Sequence, residues 1–127
     1  MNINYPKSER LKSKNTIDLL FAKGKSVSKY PLRLVYVTAE GNSAAPIQIG
    51  VSVSKKYFKK AADRNYYKRV LRETFRLNKH LITESTNEPY AMMFLYQSAD
   101  RLSFEDIQKK TIQLFEKFVI QVNAEKT

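Results

Sequence analysis

The chain has no cysteine and no tryptophan, one histidine, three glycines and four prolines among 127 residues. Without cysteine there are no disulfides and no thiolate ligands for zinc, and His80 alone builds no imidazole cluster, so a structural metal is not expected. Long apolar runs are missing too. The stretch Ala91 to Tyr96 is far too short to span a bilayer. The first residues, MNINYPKSERLKSKN, carry charges where a secretory leader needs an apolar core. The expected compartment is the cytoplasm, with no membrane partner. Acidic residues are scarce: 12 Asp and Glu face 23 Lys and Arg, a net charge of +11. A field of that size draws polyanions and makes binding salt-sensitive, so a nucleic acid is the leading partner. With 43% hydrophobic residues and no low-complexity tract, the chain can bury a core.

The pattern along the chain predicts a single RNA-binding domain over residues 1–127, with residues 1–14 as a loosely ordered basic arm. Asn15 as cap, Ile17, Leu20 and Phe21 on one face and Gly24 as stop predict a short first helix. Leu32 to Thr38 and Ile47 to Ser54 read as strands. The AEGNSAAP between them carries turn residues, which predicts an antiparallel hairpin. Residues 59–79 switch to a helical period, with Tyr67, Val70, Leu71, Thr74, Leu77 and Leu81 on one stripe. His80 would then be a solvated residue at the end of that helix. YAMMFLYQ reads as a buried strand that sends Met92 and Met93 to opposite faces. Ser103 with Asp106 opens a last helix that buries Ile107, Thr111, Leu114, Phe115 and Phe118. The expected fold is an α/β (α+β) two-layer sandwich: a small sheet of about four strands with three helices, in the order α-β-β-(β)-α-β-α. Further short strands can hide in the loops.

Charge is placed, not spread. Lys55 to Arg76 holds nine basic and two acidic residues, whereas the segment from Asp100 to the end holds five of each. At about 100° per residue, Arg64, Lys68, Arg72 and Arg76 fall along one stripe of the long helix, flanked by Asn65, Arg69 and Lys79. Like charges at i, i+4 repel by a few tenths of a kcal/mol each in an isolated helix. An ordinary solvated face would interleave Glu with Lys; only Asp63 and Glu73 are available here. The arrangement suits backbone recognition of RNA, each arginine able to hold a phosphate in bidentate geometry. Lys55, Lys56, Lys59 and Lys60 extend the patch, and the first 29 residues add seven basic against two acidic.

A protein nuclease needs a general base and acid, or clustered carboxylates for metal ions. The adjacent Glu105 and Asp106 sit in a first helical turn, where capping and the helix dipole explain them. No catalytic residue, metal ligand or small-molecule substrate is therefore expected.

The stretch VSVSKKYFKKAADRNYYKRVLRETFR, from Val51 to Arg76, resembles the signature of bacterial ribonuclease P proteins. In that family a glycine-valine-serine-lysine-lysine strand leads into a helix with an arginine-asparagine-arginine core. Gly50 to Lys56 match the strand; Arg64, Asn65, Lys68, Arg69, Leu71, Arg72 and Glu73 match the helix; and FAKGKSV, Phe21 to Val27, matches another family segment. Tyr66 departs from the pattern at the second arginine, and the loop YFKKAAD is a residue longer than the common form and lacks its usual glycine.

The resemblance implies a sandwich with a left-handed β-α-β crossover into the basic helix. It also implies a non-catalytic protein subunit of an endoribonuclease that removes the 5′ leader of precursor tRNA. Its partners would be ribonuclease P RNA and precursor tRNA, with magnesium ions held mainly by the RNA subunit and substrate. Carried over, the RNA-subunit face is Lys55, Lys56, Arg64, Asn65, Lys68, Arg69 and Arg72. The leader cleft, between first helix and sheet, is Ile17, Phe21 and Val35. Phe21 keeps two readings, core residue or stacking platform. The rival function is another basic RNA-binding module, such as a ribosomal protein.

Overall fold

The structure, a computed structural model, describes residues 10–11, 13–39 and 47–125. Its elements are α1 (Lys14–Lys23), β1 (Lys25–Lys29), β2 (Leu32–Thr38), β3 (Ile47–Val53), α2 (Ala61–Asn78), α3 (His80–Thr83), β4 (Tyr90–Tyr96) and α4 (Phe104–Glu125). The four strands form one sheet in the order β1-β2-β4-β3. β1 and β4 each pair with β2 antiparallel, while β3 runs parallel to β4. A crossover through α2 and α3 links that parallel pair.

The expected hairpin between β2 and β3 is not there. The two strands do run in opposite directions, as the turn residues demanded, but β4 lies between them: Tyr90 is the register partner of both Thr38 and Ile47. Residues 40–46, most of the expected turn, lie outside the described residues. Burial explains the insertion. All seven residues of β4 are buried, and only a central strand covered on both faces can bury such a run. Tyr90, Met92, Phe94 and Tyr96 face one core and Ala91, Met93 and Leu95 the other, so the two methionines do part to opposite faces.

The larger core lies between the sheet and α2, α3 and α4. α4 buries Ile107, Thr111, Leu114, Phe115, Phe118 and Val122, extending the expected stripe by one turn. Phe118 meets Tyr36 and Tyr90 edge-on at 4.8 and 5.2 Å. α2 buries Tyr67, Val70, Leu71, Thr74, Phe75 and Asn78; Leu77 and Leu81 are only half-buried. Asn78 ends the helix with its amide on Thr74 O and Gln108 Oε1, at 2.8 and 2.9 Å. The chain turns at Lys79, and His80 opens the one-turn α3 instead of closing α2, which makes four helices.

The smaller core lies on the other face, where α1 places Leu20 against Leu11, Val35, Ala91, Met93 and Leu95. The cap of α1 is Ser13, whose Oγ accepts from Thr16 N at 3.3 Å, and not Asn15, which lies inside the helix. Gly24 is the expected stop, for a reason of space. A Cβ there would sit 2.2 Å from Leu20 O and 2.7 Å from Val35 Cγ1.

β1 was hidden because KSVSK buries only Val27. It is an edge strand, and α4 covers its carbonyls: Lys117 Nζ donates to Ser28 O at 2.8 Å and Gln121 Nε2 to Ser26 O at 3.5 Å. At the opposite edge, Leu11 N donates to Ile49 O at 3.0 Å and Arg10 bridges to Ile49. The last part of the expected loose arm is thus ordered, while residues 1–9 and 12 lie outside the described residues.

Candidate nucleic-acid interface

Strand β3 delivers the chain into a lysine-rich loop whose conformation is set by a few short-range bonds. Ser54 Oγ accepts from Lys56 N at 3.0 Å, and Ser54 O accepts from Tyr57 N and Phe58 N. Phe58 then anchors the loop in the core, stacked on Tyr67 at 4.8 Å. With Phe58 buried, Lys55, Lys56, Lys59 and Lys60 are left exposed. Lys60 caps α2 without a side-chain bond, so Asp63 in the first turn is the acid that meets the helix dipole.

Around α2 the exposed residues beyond Ala61 and Ala62 are Asn65, Tyr66, Arg69 and Arg72, with Arg64 and Lys68 half-buried at the border of the packed stripe. The structure brings the expected interface residues together on this face and the preceding loop, with two refinements. Arg64 Nη1 donates to Phe58 O and Lys59 O, both at 2.8 Å, so this arginine also ties the loop to the helix. Arg76, expected on the cationic stripe, is paired with Glu73, its Nε donating to Oε2 at 3.1 Å.

The two acids of α2 are both engaged. Arg101 Nη2 donates to Asp63 Oδ2 at 3.0 Å, and Arg76 holds Glu73. These hydrogen bonds keep both carboxyls below their ordinary range. Both pairs leave Lys68, Arg69 and Arg72 with no ion pair among the described residues. Glu73 thereby offsets repulsion at Arg76, and the carbonyls of Phe58 and Lys59 take up Arg64, while Lys68, Arg69 and Arg72 keep theirs. Tyr66, in the place of the family's arginine, is 46% exposed and meets Tyr67 edge-on at 5.0 Å.

Beside this face, Arg72 lines a cleft of about 580 Å³ with Arg10, Leu11, Ile17, Ile49, Gly50, Val51 and Met93. The cleft runs between α1 and the β3 edge of the sheet, with an aliphatic floor, Arg72 from α2 and Arg10 from the segment ahead of α1. Of the three expected cleft residues only Ile17 lines it. Val35 is buried beneath α1, and Phe21 is 62% exposed, which excludes the core reading of that ring. Sequence periodicity groups Phe21 with Leu20, but neighbours on a helix diverge by about 100°, and Leu20 takes the buried direction.

Two arginines escaped the sequence reading. Arg10 reaches the cleft only through its bridge to Ile49, and Arg101 reaches α2 only because the β4–α4 loop folds over Phe58. Neither contact leaves a periodic trace in the sequence. Glu105 and Asp106 do sit in the first turn of α4, where Ser103 Oγ accepts from Asp106 N at 3.2 Å. Among the described residues no three His, Asp or Glu side chains converge to hold a metal ion, and no helix is long and apolar enough to cross a membrane.

The sequence pattern of the Ribonuclease P family matches residues 5–119. A Ribonuclease P protein component of Porphyromonas gingivalis is 45% identical over 82 residues, covering 65% of this chain and 60% of that protein. The match thus spans about 60% of the length of this curated relative. The Ribonuclease P protein component of Dictyoglomus turgidum is 31% identical over 113 residues, covering 89% of this chain and 91% of the relative. Among solved structures, an RNase P protein of Staphylococcus aureus superposes with a TM-score of 0.67 at 23% identity, covering 87% of this chain and 95% of that one. The RNase P protein of Thermotoga maritima gives 0.67 at 24%, with 86% and 96% covered. These two likenesses are of fold.

Proposed function

The chain belongs to the family of ribonuclease P protein components, and from that premise we propose that it is the protein subunit of a ribonuclease P. In this reading it binds the catalytic RNA through α2 and the lysine loop, grips the 5′ leader of precursor tRNA, and assists magnesium-dependent removal of that leader. The observation that carries it is the outer side of α2, where Lys68, Arg69 and Arg72 have no ion pair among the described residues while Asp63 and Glu73 are each held by an arginine. Such a face neutralises phosphates and releases counterions, and it reads backbone geometry in place of base sequence.

The cleft beside Arg72 offers an unpaired strand two guanidiniums for phosphates and an aliphatic floor for a base or ribose. The exposed ring of Phe21, on the same helix as Ile17, supplies a stacking surface next to it. In this reading the magnesium ions, and with them the bond-breaking step, belong to the RNA partner. The protein's part is to hold RNA and leader in register.

The test is multiple-turnover cleavage of a precursor tRNA at near-physiological magnesium by protein alone, by a bacterial ribonuclease P RNA alone, and by both. Cleavage at the mature 5′ end that depends on the combination supports the reading; no stimulation of the RNA overturns it. For the leader, Phe21→Ala is expected to weaken binding of precursor about tenfold more than binding of mature tRNA. Equal losses on both would remove Phe21 from the leader path.

A further inference from the structure

The turn between β1 and β2 carries Tyr30, whose ring is 62% exposed. An exposed tyrosine is ordinary when its hydroxyl sits in water and the side chain turns freely. Here the hydroxyl donates to the Asp100 carboxylate and shares a second hydrogen bond with Ser98 Oγ at 2.7 Å. Its partners are fixed in turn. Ser98 is buried and its Oγ accepts from Asp100 N at 2.9 Å. The Tyr96 hydroxyl donates to Asp100 O and accepts from Leu102 N at 3.2 Å. Gln97 N donates to Pro31 O at 2.8 Å, closing the turn onto the same loop. The ring is therefore held by its far end on a residue that stays largely open to solvent, a rigid amphipathic surface that loses little further freedom on contact.

A continuous line of contacts joins this ring to the cationic face. Asp100 is followed by Arg101, whose guanidinium lies 5.2 Å from the Phe58 ring centroid and donates to Asp63 in the first turn of α2. Phe58 and Asp63 flank Lys59, Lys60 and the start of the helix. Along that line charges alternate, Lys29, Asp100, Arg101, Asp63 and Lys60, so the Tyr30 end adds little net field. What it adds is an aromatic plane.

We propose that Tyr30 is an RNA contact, its ring stacking on an unpaired base of an RNA whose backbone follows the lysine loop and α2. This rests on the RNA-binding reading above and places a contact outside both α2 and the cleft. Stacking gives affinity without neutralising a phosphate, and it tolerates any base. A residue that only tethers the β1–β2 turn to the β4–α4 loop would act through its hydroxyl, whereas a stacking residue acts through its ring.

The experiment measures binding of the full chain to a bacterial ribonuclease P RNA across a salt series, for wild type, Tyr30→Ala and Tyr30→Phe, with thermal unfolding of each. Tyr30→Ala is expected to bind about tenfold more weakly with an unchanged salt slope, and Tyr30→Phe to stay within about threefold of wild type. Both should lose some thermal stability, because both lose the hydroxyl. Wild-type affinity in Tyr30→Ala, measured well below its melting temperature, overturns the proposal, and so does an equal loss in Tyr30→Phe, which assigns the residue to the tether. Absence of binding by the wild type overturns the RNA-subunit reading itself, and the stacking contact with it.

Discussion

α2 and α4 pack side by side on the same face of one sheet, and inward they are alike. Each buries a stripe of aromatic and aliphatic residues around one threonine, Thr74 and Thr111, whose hydroxyl donates back to its own helix. Outward they differ. The exposed side of α4 mixes Lys109, Gln113, Glu116, Lys117 and Asn123, and Lys117 is turned to the edge of β1. That of α2 shows Lys68, Arg69 and Arg72, with its acids drawn to flanking arginines. Packing constrains only half of a helix, so the outer half records what else the helix must meet. α4 meets water and an edge strand; α2 presents a cationic face.

The largest expected effect lies on the inward side, where the comparison should vanish. Phe118→Ala removes a fully buried ring that touches Tyr36 and Tyr90 and should cost about 3–5 kcal/mol of stability, read by thermal or denaturant unfolding. A loss under about 1 kcal/mol would mean that α4 is not seated as described.

Arg64→Ala should straddle the two sides. It loses two hydrogen bonds to loop carbonyls, about 2 kcal/mol, and weakens RNA binding as well. If stability is unchanged, the arginine does not tie the loop.

Arg69→Ala and Arg72→Ala sharpen the comparison on the outward side. Each should leave unfolding within about 0.5 kcal/mol of wild type and lower the salt slope of RNA binding by about one, whereas Lys109→Ala on α4 should change neither. Equal slopes for all three variants would erase the distinction between the helices.

The smallest effect is acidic. Asp63 and Glu73 have carboxyls held below their ordinary range by Arg101 and Arg76. Their contribution is therefore present above the unfolded carboxylate pKa and is lost as pH falls through the lower folded values. Asp63→Asn and Glu73→Gln should lower stability slightly at neutral pH and leave it unchanged once the carboxyls are protonated, so the acid limb below about pH 4 flattens; an unchanged acid limb would show that the pairs contribute nothing.

Periodicity and charge placement carried much of this protein openly in its sequence. The buried face of α4 and the cationic side of α2 follow from the 3.6-residue repeat that burial imposes locally, β4 from its short apolar, aromatic run, and β2 from its Val, Leu and Tyr content after Pro31. The lysine loop is legible for the same reason, since nothing in SKKYFKK except its aromatics has a core to enter.

What tertiary structure alone decided are choices between distant partners. A turn sequence can demand that β2 and β3 reverse direction, but only the pull of an apolar strand into the centre of the sheet placed β4 between them. β1 exists because β2 offers an edge and α4 covers the remaining carbonyls, not because KSVSK prefers to be a strand. Arg101 reaches α2 across 38 residues of sequence, the Tyr30 hydroxyl reaches Asp100 across 70, and Arg10 joins the sheet edge at Ile49. Such contacts depend on how the core brings distant segments together. Local sequence encodes which face of an element is apolar; which other element meets the polar face is settled by the fold as a whole.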